Sequence, residues 1–188
     1  MLKLHNLYKV YRTDEVETVA LNGVNLEIEQ GDFVAIMGPS GSGKSTFFNM
    51  IGGLDTPTTG DVAIEGCRLD KLNSRQLAWF RCRKIGFIFQ NFNLIPTMTA
   101  IENVAMGRIF SGVSPHEAKN DAARILDRVG LGHRLDHLPA QVSGGQQQRI
   151  AIARALVNQP AIVLADEPTG NLDLKTGETK WEEKAVRT

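Results

Sequence analysis

Residues 38 to 46 read Gly38-Pro39-Ser40-Gly41-Ser42-Gly43-Lys44-Ser45-Thr46, and no other stretch of this 188-residue chain limits its fold so tightly. The run fits G-x-x-x-x-G-K-[ST] in full, a pattern that requires a strand before it and a helix after it. Residues 32 to 37 carry Phe33, Val34, Ala35 and Ile36 in one apolar run, which predicts a short strand buried on both faces. Residues 44 to 51 suit a helix. Gly38, Gly41 and Gly43 let the backbone curl until successive N–H groups face one anion, and the helix start adds partial positive charge there. Lys44 is placed to reach the β- and γ-phosphates of a nucleotide, and the Ser45 hydroxyl to hold Mg²⁺.

A second apolar run, residues 161 to 165, ends in Asp166 and Glu167. Carboxylates at the C-terminal end of a buried parallel strand sit at the crevice where open α/β sheets bind ligands. Asp166 is therefore expected to orient the Mg²⁺ shell, and Glu167 to activate water. Standing alone, an acidic pair after an apolar strand reads equally well as solvated charge; the phosphate loop upstream favours the functional reading.

Between these two segments lies Val142-Ser143-Gly144-Gly145-Gln146-Gln147-Gln148-Arg149. Ser143 is a good N-cap for a helix whose packed side carries Ile150, Ala153 and Val157 at helical spacing. A helix start made of small residues can accept a phosphate.

Residues 2 to 10, 24 to 28, 61 to 64 and 85 to 89 read as strands, with a turn at 55 to 60 and a helix capped by Ser74. From 91 to 158 helix signals dominate, with Ser114-Pro115-His116-Glu117 as a capping box and Gly130 as a stop. Composition is that of one ordinary globular domain, with 21 basic and 21 acidic residues and no basic stripe to suggest nucleic acid. Cys67 and Cys82 show neither metal spacing nor a disulfide framework. No signal peptide and no apolar run of membrane-spanning length is apparent, so a membrane role would come through a partner.

Taken together, these segments strongly resemble the ATP-binding-cassette (ABC) ATPases. Residues 142 to 156 are similar to the family's signature motif, with Val142 in place of its leading leucine. Asp166-Glu167-Pro168-Thr169 matches the second phosphate-site motif with its catalytic glutamate, and Asn171-Leu172-Asp173 matches the D-loop. Gln90 matches the Q-loop glutamine, and Tyr11 lies where the family stacks an aromatic on adenine. The resemblance implies a P-loop NTPase α/β core with a mostly parallel sheet, an antiparallel N-terminal subdomain and an inserted helical subdomain. It implies one domain, with 1–90 and 159–177 as core, 91–158 as helical lobe and 178–188 as an atypical tail. Implied nucleotide contacts are Tyr11, Gly38 to Thr46, Ser143, Gly144, Gly145, Gln146 and Asp173; implied Mg²⁺ contacts are Ser45, Gln90 and Asp166; implied catalytic residues are Glu167 and Gln90. Two subunits would close over shared ATP, the signature of one touching the γ-phosphate held by the other. Transmembrane permease subunits would dock near residues 91 to 98, placing the chain on the cytoplasmic face of the membrane. The wording of that segment and of Thr169-Gly170-Asn171 looks most like the exporter branch of lipoprotein-release and macrolide-export ATPases.

The resemblance covers residues 1 to about 177. The four histidines, His5, His116, His133 and His137, all precede the place where the family carries a switch histidine, and its last core strands have no counterpart after Gly177. The alternative expectation is accordingly a module that binds Mg-ATP better than it hydrolyses it. A small GTPase is disfavoured because Asn-Lys-x-Asp is missing. DNA-repair cassettes are disfavoured because no sustained heptads separate the phosphate loop from the signature.

Overall fold

Two long strands open the chain in a computed structural model, which describes residues 1–13 and 16–167. β1 (Leu2–Arg12) and β2 (Glu17–Ile28) pair antiparallel. Leu2, Leu4 and Leu7 are buried along β1, a step of two and then of three. The extra residue is absorbed by a register shift between Leu4 and Leu7, with Asn6 at φ 45°. This is how a bulge returns a side chain to the inner face. β3 (Thr59–Ile64) pairs with the other edge of β1, and β4 (Cys67–Arg68) follows through Glu65-Gly66, both at positive φ, as a two-residue hairpin requires. The sheet order is β2-β1-β3-β4.

Two helices complete this unit, Met1–Ile85. α1 (Lys44–Ile51) buries Phe47, Met50 and Ile51. α2 (Ser74–Lys84) is capped by Asn73 and not by Ser74, which is its first helical residue. The Asn73 side chain accepts from the Gln76 amide at 2.9 Å, and the Gln76 side chain accepts from the Asn73 amide at 3.0 Å. Only a cap at Asn73 puts a glutamine three residues on; a cap at Ser74 would put Leu77 there.

The expected strand over residues 32 to 37 does not form. The segment is irregular, and Phe33 and Met37 are 94% and 90% exposed. An apolar run becomes a strand only if a neighbouring strand takes up its N–H and C=O groups, and neither sheet among the described residues supplies one here.

The second unit runs from Gly86 onward. β5 (Ile85–Ile88) and β6 (Ile162–Ala165) pair in parallel. Ile85, Gly86 and Ile88 are buried as expected. In β6 only Leu164 is buried and Val163 is 41% exposed, so the strand is half-covered, not fully buried. Its one sheet neighbour among the described residues is β5, and apolar composition cannot create a second.

Between these strands the chain is helical: α3 (Ala100–Phe110), α4 (Pro115–Arg128) and α5 (Gly144–Leu156). They share a core of Ala100, Val104, Ala118, Ala122, Leu126, Val142, Ile150, Ala153 and Val157. The Ser114 side chain accepts from the Glu117 amide at 3.3 Å with Pro115 in the first turn, so half of the expected capping box is made. Gly130, at φ 76°, follows the end of α4. Thr99 and Glu102 form a full box at the start of α3. The Asp121 carboxylate of α4 accepts from the Arg108 guanidinium of α3 at 2.7 Å and from Arg124 of its own helix.

Gly86 sets the spacing of α5 and β5. A Cβ on Gly86 would lie 2.5 Å from the Ala155 carbonyl oxygen and 3.1 Å from Pro160. The first obstacle is backbone and cannot swing aside, so Gly86→Val should lower unfolding stability by about 3 kcal/mol, measured by urea denaturation.

Asp121 makes the stability of this unit depend on pH. Hydrogen bonds from Arg124 and Arg108 hold its carboxyl below the ordinary carboxylate value. A depressed folded pKa contributes stability above the unfolded value and loses it as pH falls through the folded value. Asp121→Asn should therefore lower the melting temperature at pH 7, and the deficit should shrink as pH drops below about 4.

Candidate functional site

In the first unit the phosphate loop leads into α1 through two glycines in the left-handed region, Gly41 at φ 79° and Gly43 at φ 90°. Gly43 is also the N-cap of α1, and a Cβ there would meet the Ala20 carbonyl oxygen of β2 at 2.5 Å. Glycine is therefore required at this position twice over, by dihedral and by space. A Cβ on Gly38 would meet the Ser42 hydroxyl at 2.7 Å, inside the curl of the loop. The Ser42 amide donates to the Pro39 carbonyl at 3.3 Å, and the Lys44 ammonium donates to the carbonyls of Gly38 and Pro39 at 2.7 and 2.8 Å. Lys44 thus bridges the loop from its own helix. No acidic side chain stands in the first turn of α1, which keeps the positive end of the helix dipole uncompensated. Ser40, Gly41, Ser42 and Ser45 are exposed, and Thr46 is half-buried.

Tyr11 stands on β1 and is 41% exposed. Its hydroxyl donates to Asp55 at 3.2 Å, and the Lys9 ammonium lies 4.9 Å from its ring centroid and 2.8 Å from Asp55. Burial works against ionising Asp55, but hydrogen bonds from Lys9, the Thr56 amide and the Tyr11 hydroxyl, with the Lys9 charge, together outweigh it and hold the carboxyl below its ordinary value. The result is an aromatic face fixed at both its edge and one side, a geometry suited to stacking.

In the second unit, Gln90, Asp166 and Glu167 come together although 77 positions separate the outer two. They follow the ends of β5 and β6. The Asp166 amide donates to the Ile88 carbonyl at 2.9 Å, which extends the pairing past β6. The Gln90 side-chain amide then donates to the Glu167 carboxylate at 3.1 Å. Glu167 takes φ 44°, an unusual backbone state for a residue other than glycine. Gln90 and Glu167 are exposed and Asp166 is half-buried.

Ser143 caps α5 as expected. Its side chain accepts from the Gln146 amide at 3.3 Å, and the Gln146 side chain accepts from the Ser143 amide at 3.0 Å. Ser143 and Gly144 are exposed, with nothing within 4 Å of a Cβ built on Gly144. Val142 belongs to the helical core, so an apolar residue of its size is what the position needs. Asp173 lies outside the described residues.

Two polar side chains with structural parts in this unit escaped the sequence reading. Asn103 is 1% exposed, accepts from the Ile95 amide at 2.7 Å and donates to the carbonyls of Ile95, Met98 and Thr99. It therefore holds the loop after Gln90. Its signal was a lone asparagine on a mostly apolar helix, legible only once that loop is known to pack there. Arg154 donates to the carbonyls of Phe92 and Asn93. Leu94 packs on the helical core while Ile95 is 39% exposed, so the segment after Gln90 is partly packing and partly surface. A groove of about 410 Å³ beside it is lined by Met98, Glu102, Met106, Ile109 and Lys119.

Residues 21–170 match the family described as ABC transporter. The chain is 54% identical over 178 residues to an uncharacterized ABC transporter ATP-binding protein of Thermotoga maritima, covering 95% of this chain and 76% of that one. It is 51% identical to the lipoprotein-releasing system ATP-binding protein LolD of Shewanella frigidimarina, covering 96% of this chain and 76% of LolD. It is 52% identical to the macrolide export ATP-binding/permease protein MacB of Rhodopirellula baltica, covering 94% of this chain but 26% of MacB. Among solved structures, the dimeric post-hydrolysis state of the ATP-binding cassette MJ0796 with ADP and Pi superimposes with a TM-score of 0.85 at 51% identity, covering 95% of this chain and 78% of that one. These matches favour a hydrolysing subunit over the hydrolysis-deficient module. The chain belongs to the ABC transporter family, as an ATP-binding, ATP-hydrolysing subunit.

Proposed function

We propose that this chain is one cassette that hydrolyses Mg-ATP between two copies and so drives a membrane exporter. The observation that carries the reading is the hydrogen bond between Gln90 and Glu167 at the ends of paired strands. It puts a carboxylate able to take a proton from water beside an amide able to orient that water, in a family whose members bind ATP. Lys44 and the loop amides from Gly38 to Thr46 would grip the β- and γ-phosphates, and Tyr11 would stack on adenine. The signature residues Ser143, Gly144, Gly145 and Gln146 of one copy, together with Asp173, would complete the γ-phosphate site of the other. An exposed, serine-capped helix start has the dipole and the space for that contact.

The donors fit Mg²⁺. Ser45, Gln90 and Asp166 offer hard oxygens only, and among the described residues no group of three or more His, Cys, Asp or Glu side chains forms an all-protein cage. This ion is usually held by one or two carboxylates plus phosphate oxygens. When bound, it would neutralise charge on the transferring phosphoryl group.

Among the described residues no helix is long and apolar enough to cross a membrane. Transport would act through permease subunits docked on the segment from Asn91 to Met98 and the adjoining groove, at the cytoplasmic face of the membrane. The names of LolD and MacB support the exporter branch.

Nucleotide affinity and steady-state turnover test the reading. Lys44→Ala should weaken ATP binding at least about tenfold through loss of a charge-assisted phosphate contact. Glu167→Gln should bind ATP as the parent does and lose about 100-fold or more in turnover. Parent-like turnover by Glu167→Gln would remove Glu167 from the chemistry.

A further inference from the structure

The segment directly after Gln90 holds two consecutive non-glycine residues in the left-handed region, Phe92 at φ 59° and Asn93 at φ 48°. Asparagine tolerates this state; a bulky aromatic residue adopts it only when its surroundings impose it. Local bonds help, since the Phe92 amide donates to the Phe89 carbonyl at 3.0 Å and the Asn93 amide to the Asn91 carbonyl at 2.6 Å. The outward carbonyls of the same two residues converge on one side chain. Arg154 of α5 donates through Nη2 to the Phe92 oxygen at 2.7 Å and through Nη1 to the Asn93 oxygen. Arg154 is half-buried, and burial pulls its pKa below the ordinary guanidinium value. No carboxylate among the described residues pairs with it. A cation placed there without a counter-ion is held by these carbonyls, and the planar fork suits two acceptors side by side as an ammonium does not.

We propose that Arg154 is a positioning residue for hydrolysis, pinning the Phe92–Asn93 turn so that Gln90 stays against Glu167. The same clamp ties that turn to the helix that begins at Ser143, so the water-orienting loop and the signature move as one piece. The proposal rests on the ATPase reading and assigns the residue that keeps its machinery aligned.

The test compares the full chain with Arg154→Met, Arg154→Lys, and Arg154→Met combined with Phe92→Gly and Asn93→Gly. Glycine enters the left-handed region without strain, so it should make the turn less dependent on the clamp. Arg154→Met should lower kcat about tenfold or more while the KM for ATP stays within about twofold. Arg154→Lys should recover part of the loss, and the glycine pair should recover several-fold of it. Amide hydrogen exchange should quicken by about tenfold at Phe92 in Arg154→Met, with the amides of α5 unchanged. Unchanged kcat in Arg154→Met would overturn the proposal. So would a loss that follows global destabilisation, with exchange quickened throughout α5 and no recovery on adding the glycines. If the parent chain shows no turnover, the ATPase reading fails by itself, and the exchange at Phe92 still decides whether Arg154 holds the turn.

Discussion

The pairing of β5 with β6 is the interaction on which the second unit depends. It closes an excursion of the chain that includes three helices, and such closure costs conformational entropy that the local bonds alone do not recover. The helical core on Ile150, Leu126 and Val104 supplies the compensation, since those side chains are fully buried. Once the strands are paired, Gln90 and Glu167 meet as a consequence of register. Gly86 then lets α5 lie against β5 at backbone contact near Ala155. The proposed chemistry is thus indexed to one short strand pair.

The first unit solves a different problem with the same economy. A loop that presents several amides to one anion must be curled, and curling needs residues free of a Cβ. Gly43 combines that role with direct contact on the Ala20 carbonyl of β2, so the antiparallel sheet serves as the anvil on which the phosphate loop is shaped. Lys44 bridges the carbonyls of Gly38 and Pro39, holding the loop together from the helix side. Tyr11, Lys9 and Asp55 form a compact cluster on that sheet, where one carboxylate anchors both a cation and an aromatic hydroxyl.

Much of this was legible because the features are local. The glycines of the phosphate loop, the serine cap of α5 and the stripe of Ile150, Ala153 and Val157 each announce themselves within a few residues. What misled was non-local. Residues 32 to 37 have strand composition, but a strand is a property of two segments, and composition speaks for only one. The same reason leaves β6 half-covered. Ser74 and Asn73 are both capping residues, and only the reciprocal bond with Gln76 separates them. Asn103 and Arg154 look unremarkable on helical faces until the loop after Gln90 is seen packed against them. Long-range hydrogen bonds from side chain to backbone leave no periodic trace in a sequence.

On the proposed reading ATP forms the joint between two copies, gripped by the loop amides of one and capped by the serine–glycine helix start of the other. Light scattering on the Glu167→Gln chain with and without ATP tests it most directly, run beside the same chain carrying Ser143→Arg. ATP should double the mass of the first and leave the second a monomer. An unchanged mass with ATP, or equal doubling in the Ser143→Arg chain, would contradict it.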